Sequence, residues 1–95
     1  MSTVQHLIFR VSNLETIKFE VNHETKLVKQ LYVKDERAAR IILLEKERTY
    51  DGIEKRLNFY MATDYTLLEM IEVIKAGEFQ ADFQHNLNII VEDIC

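Results

Sequence analysis

Ninety-five residues, 47% of them hydrophobic, with four Tyr, five Phe, one Cys, no Trp and no Pro, supply apolar material for one core and too little for two. The single cysteine, Cys95, excludes an internal disulfide framework, and no apolar run approaches the roughly 20 residues that a membrane-spanning helix needs. The first residues, Met1 to His6, lack the basic start and apolar stretch of a secretory signal, so a cytoplasmic, intracellular protein without membrane contact is expected.

The net charge of -4 is unevenly distributed. Residues 26 to 56 carry nine Lys or Arg against six acids, a balance of +3, whereas residues 57 to 95 set Lys75 alone against seven acids. An electrically polar molecule is expected, with no general attraction to nucleic acid.

The first strand signal is His6 to Val11, where Leu7, Phe9 and Val11 alternate with more polar neighbours. Ser12-Asn13 reads as a turn, and Ile17, Phe19 and Val21 alternate with Lys18 and Glu20 in a second strand. After a turn at Asn22-His23, in which His23 is expected to be solvated, Leu27, Leu31 and Val33 continue a third. Lys29 interrupts the pattern.

Residues 35 to 48 are rich in helix formers, yet they also fit a strand, because Tyr50-Asp51-Gly52 suits a three-residue hairpin loop. Counting outward from it sets Glu47 opposite Lys55, Leu43 opposite Phe59 and Ile42 opposite Tyr60, so charge meets opposite charge and apolar meets apolar. Thr66 and Glu69 have capping-box spacing ahead of an apolar helical stripe that ends at Gly77, giving a helix over about 64 to 76. Phe79 and Phe83 are expected under its end, and Leu87, Ile89 and Val91 alternate in a last strand.

The reading is one α+β domain over residues 1 to 95: an antiparallel β-meander of about five strands, one helix on one sheet face, and a C-terminal strand. The alternative makes residues 35 to 48 helical, in the order β-β-β-α-β-α-β. In the meander the odd-numbered apolar residues form the core face. On the other face Val28, Tyr32, Ile42, Leu44 and Tyr60 leave a patch of the kind that marks a contact surface. A homodimer or a protein partner follows.

Signatures of chemistry are sparse. His6, His23 and His85 fall in separate elements without metal-ligand spacing, and no phosphate-binding glycine loop or nucleophile turn occurs. No catalytic residue, metal or cofactor is assigned. Lys46, Arg48, Lys55 and Arg56 would cluster at the hairpin tip, where they suit a nucleic-acid groove, although Glu45, Glu47, Asp51 and Glu54 interleave with them. The acidic C-terminal part suits mimicry of nucleic-acid phosphates, as in an inhibitor of viral type. The leading expectation is a non-enzymatic protein-interaction module, a regulator or inhibitor of a larger target.

Overall fold

The computed structural model describes residues 3–77 and 87–94. Strands β1 (Val4–Val11), β2 (Leu14–Asn22) and β3 (Leu27–Val33) are followed by helix α1 (Glu36–Ile42) and a 3-10 turn at Glu45–Glu47. Helices α2 (Tyr50–Met61) and α3 (Leu67–Lys75) and strand β4 (Leu87–Ile94) complete the order. The sheet is antiparallel throughout, with strand order β3-β2-β1-β4. Among the described residues it is therefore α+β with four strands and three helices. The five-strand meander with one helix is corrected: residues expected to form its fourth and fifth strands are helical. The alternative order was right about helix within 35 to 48 and wrong about a strand after it. Phe79, Phe83, His85 and Cys95 lie outside the described residues.

Alternation built the strands as expected, and two bulges explain where it failed. Phe9 pairs with Ile17 but Arg10 pairs with Glu15, so Thr16 is the extra residue; its hydroxyl donates to Leu14 O at 3.1 Å and accepts from Val11 N at 3.3 Å. Lys18 pairs with Tyr32 but Phe19 pairs with Gln30, which makes Leu31 the extra residue of β3. A bulge inverts the inward-outward parity on its two sides. Val28 therefore lies opposite core residue Val21, and Lys29 lies opposite Glu20 on the other face. The awkward lysine sits where a lysine belongs.

Within 35 to 61 the chain forms α1, the 3-10 turn and α2, with Leu43 and Leu44 extended between them, because its caps and its apolar spacing agree. Asp35 Oδ1 accepts from Arg37 N at 3.0 Å and Ala38 N at 3.2 Å at the start of α1. Thr49 Oγ1 accepts from Gly52 N at 3.1 Å at the start of α2, a contact of the type whose loss costs about 1 kcal/mol. Tyr50, Ile53 and Leu57 then recur at helical spacing and are buried. Thr66 and Glu69 form the expected capping box of α3, and Gly77 past its end has φ +77°.

All three helices cover one face of the sheet. Ala39, Ile42, Leu43, Tyr50, Ile53, Leu57, Leu67, Met70 and Ile71 pack against Leu7, Phe9, Ile17, Phe19, Val21, Leu87 and Ile89. Phe9 and Phe19 meet edge to face at 5.8 Å between ring centroids, at an interplanar angle of 88°, the favoured geometry for an aromatic pair.

Gly52 is not a hairpin residue. A Cβ there would stand 2.2 Å from the carbonyl oxygen of Glu47, because the 3-10 turn packs directly on the first turn of α2. Ala62, by contrast, ends α2 in the left-handed region at φ 55°, and it is exposed. Both positions invert the usual helix preference. Gly52→Ala gains about 1 kcal/mol of helix propensity, but the clashing atom is backbone and cannot rotate away, so a net loss of about 1–3 kcal/mol is expected. Ala62→Gly relieves left-handed strain and is expected to stabilise by about 0.5–1 kcal/mol. Urea unfolding of both variants measures the two signs.

Candidate functional site

The 3-10 turn lies in the seam between α1 and α2, and two arginines fasten it: Arg48 reaches to α1 and β3, and Arg56 reaches from α2 to Glu47 of the turn. Arg48, just after the 3-10 turn, has a side chain only 6% exposed; its guanidinium donates to Leu43 O at 3.2 Å, Glu36 Oε1 at 2.9 Å and Gln30 Oε1 at 3.2 Å. Glu36 is held below the usual carboxylate range, first by that hydrogen bond and further by the charges of Arg48 and Arg40. Arg56 Nη2 lies 2.5 Å from Glu47 Oε2, while Leu44 N donates to Glu47 Oε1 at 2.8 Å. The Leu44 amide and then Arg56 lower the Glu47 pKa. The Arg56 guanidinium also lies over the rings of Phe59 and Tyr60, at 5.6 and 5.8 Å. Tyr60 O–H donates to Ile42 O at 3.0 Å, and burial pushes its pKa up.

What this framework leaves outside is apolar. Phe59 is 73% exposed, Ile41 56% and Leu44 44%. Lys55 and Arg56 flank Phe59 and, with Glu47, line a shallow depression beside it.

The five residues expected to share the open sheet face do not share a face. Ile42 is buried in the core, Val28 and Tyr60 pack beside it, and Leu44 lies exposed ahead of the 3-10 turn. Tyr32 is on the open face and donates its hydroxyl to Glu15. Ile42 and Tyr60 do meet, but through helix packing instead of strand pairing. Of the four cations expected at a hairpin tip, Arg48 and Arg56 are engaged in ion pairs, and Lys46 and Lys55 have none among the described residues. The parity rule that puts odd-numbered apolar residues in the core fails for Phe59 and Ile41, both of which are exposed. The signal that finds Phe59 is helical: Ile53, Leu57, Tyr60 and Met61 occupy one side of α2, which turns Phe59 away from it.

The open face of the sheet is polar. Ile8 is at its centre, yet only 4% exposed. Around it His6 lies 3.3 Å from Glu20 and 3.8 Å from Glu92, and Lys18 lies 3.5 Å from Glu92. Lys34 is 3.4 Å from Glu15. The Glu15 hydrogen bond raises the Tyr32 pKa to about 12, and Glu15 is lowered by Tyr32 and then by Lys34. Long side chains thus roof the apolar centre.

A third polar assembly runs through the interior. His23, expected to be solvated, is 8% exposed. Its Nδ1 is 2.7 Å from Tyr50 Oη and its Nε2 is 2.8 Å from Gln5 Oε1. Gln5 Nε2 donates to Asp93 Oδ1 at 2.6 Å, and Lys75 Nζ donates to Asp93 Oδ2 at 2.9 Å. The direction of every hydrogen bond follows. A carboxylate only accepts, so the Gln5 amide nitrogen faces Asp93 and its oxygen faces His23. Nε2 of His23 then carries the proton, and Nδ1 accepts from the Tyr50 hydroxyl. Burial, and secondarily the charge of Lys26, lower the His23 pKa; burial raises that of Tyr50. With both ring nitrogens engaged, His23 presents no free lone pair to a metal or substrate. Among the described residues no cluster of three or more His, Cys, Asp or Glu groups is placed to hold a metal ion, and no helix is long and apolar enough to cross a membrane.

The different roles of the basic residues have a measurable consequence. Arg48→Ala leaves the carbonyl of Leu43 without its donor and is expected to cost about 1–3 kcal/mol. Lys46→Ala, on an exposed side chain, is expected to change stability by less than about 0.5 kcal/mol. Denaturant unfolding distinguishes a structural arginine from a surface lysine.

Comparison of the chain with protein-family models, with curated proteins and with solved structures finds no match.

Proposed function

We propose that the chain is a non-enzymatic protein-interaction module that regulates or inhibits a larger target, and that its contact surface is the outer side of the α1–α2 seam. The observation that carries this reading is Phe59, an aromatic side chain 73% exposed in the body of a helix. Ile41 and Leu44 add apolar surface from α1 and the link to the 3-10 turn. Exposed apolar side chains with charged neighbours are characteristic of contact sites, and aromatic residues with arginine dominate their binding energy.

The rim defines the partner. Lys46 and Lys55 are exposed and form no ion pair among the described residues, and Arg56 stands beside Phe59. A protein segment with apolar side chains flanked by carboxylates complements that arrangement. The roofed, ion-paired open face of the sheet offers less apolar surface, so the seam replaces it as the proposed surface.

A photo-reactive phenylalanine analogue at position 59, in extract of the cells that make the chain, is expected to give a discrete cross-linked protein. The same group at exposed Glu72 is expected to give none. Leu44→Glu should abolish the product while leaving circular dichroism and unfolding within about 0.5 kcal/mol of the parent. Raising the salt should weaken it, because exposed charge attraction is screened. A yield at 59 that Leu44→Glu leaves unchanged rejects the proposed surface.

A further inference from the structure

The buried polar assembly joins parts of the fold that are far apart in sequence. His23 belongs to the turn after β2, Tyr50 begins α2, Gln5 and Asp93 lie on adjacent strands β1 and β4, and Lys75 ends α3. The His23 backbone amide also donates to Thr3 O at 2.8 Å. The Tyr50 ring meets the His23 ring edge on at 5.6 Å, and Lys26 Nζ stands 4.9 Å over the tyrosine ring. Polar side chains, not apolar packing alone, thus tie this end of the sheet to the start of α2.

We propose that this assembly is an acid-opened latch: protonation of His23 releases the turn after β2 from the first turn of α2 while the centre of the sheet stays paired.

The chemistry follows from which groups are charged and where they stand. A second proton on the imidazole arrives at Nδ1, where it faces the Tyr50 hydroxyl. That hydroxyl must turn from donor to acceptor, and its own hydrogen loses its buried acceptor. At Nε2 the imidazolium meets the oxygen of Gln5, a neutral amide. The carboxylate beyond it, Asp93, is one amide away and already bound by Lys75. Lys26 in the turn is a cation and opposes the new charge; Asp51 and Glu54 on α2 act on Tyr50. Glu24, next in the turn, is exposed. Among the described residues no carboxylate bonds directly to the ring, so among them the imidazolium is a buried charge without a counter-ion, a condition proteins relieve by opening.

The direction with pH is fixed by the same facts. Burial lowers the folded-state pKa of His23 below its ordinary value of 6.5. The open state therefore binds the proton more strongly, and closure is fully favoured above about pH 6.5 and progressively lost as the pH falls toward the folded-state pKa.

The test uses the whole chain, with the ring resonances of His23 followed by NMR and backbone amide exchange normalised for its intrinsic pH dependence. Between pH 7.5 and pH 5 the amides of His23, Lys26 and Ile53 are expected to exchange about tenfold faster or more, while those of Leu7 and Phe19 change less than about twofold. Tyr50→Phe removes the hydroxyl that must reverse, and is expected to speed these amides at pH 7.5 and flatten their pH dependence. The pair Gln5→Glu with Asp93→Asn places a carboxylate against Nε2 and keeps a donor behind it. It is expected to raise the His23 pKa and abolish the acid opening, which separates a charge effect from general loosening. Equal normalised rates at the two pH values, or an increase shared by Leu7 and Phe19, overturns the proposal.

Discussion

Strand β1 must be dry on both faces, and the rest of the molecule is arranged to meet that demand. Leu7, Ile8 and Phe9 are consecutive and all buried. Because successive side chains point to opposite sides, Leu7 and Phe9 need cover from one face and Ile8 from the other. Its partners β2 and β4 satisfy its backbone on both edges. On the inner side three helices bring apolar stripes. On the outer side the cover is polar: His6, Lys18, Glu20 and Glu92 interact around Ile8, directly opposite Ile90. Ion pairs of this exposed kind add little stability each, so their main effect is shielding a central isoleucine from water.

That asymmetry decides how much of the fold is legible from residues alone. Where the sheet is half-buried the period of two is plain, as in Leu7, Phe9, Ile17, Phe19, Leu87 and Ile89. The capping box at Thr66 and the left-handed Gly77 were readable because each depends on a few adjacent residues. Residues 35 to 61 misled because Ile41 to Leu44 are four apolar residues in a row, which suit a buried strand or a buried helix turn equally. The hairpin pairing then set Glu47 against Lys55, whereas in the fold Glu47 pairs with the next residue along α2, Arg56. Glycine at position 52 looked like a turn residue, but the reason for it is a close approach of the Glu47 carbonyl, invisible before the chain is folded. Likewise Lys29 became intelligible only with the bulge at Leu31.

The candidate surfaces were legible to a lesser degree, for the same reason. The proximity of Ile42 and Tyr60 was anticipated through a false register, whereas Phe59 was assigned to the core by a parity rule that does not hold on a helix. His23 looked solvated because it sits in a turn; its burial depends on Tyr50, Gln5 and Asp93, which are 27, 18 and 70 positions away in the chain. Tyr50 and Gln5 bond directly to its ring, and Asp93 acts through Gln5. A polar group is buried only where partners converge, and convergence is a property of the fold rather than of a local pattern.

Two kinds of residue can then be separated by what the fold requires of them. Arg48, Arg56, Tyr60 and His23 carry polar groups whose identities are accounted for by internal bonds, so their chemistry needs no external explanation. Ile41, Leu44 and Phe59 differ. Their side chains contribute surface to water that a polar residue would present at no cost to the core, and in Phe59 the ring lies against a guanidinium already satisfied by Glu47. That arrangement presents a rigid aromatic face with its neighbouring charge held in place. Preorganisation of this kind lowers the entropy lost on association, and Phe59 owes it to the neighbouring Arg56.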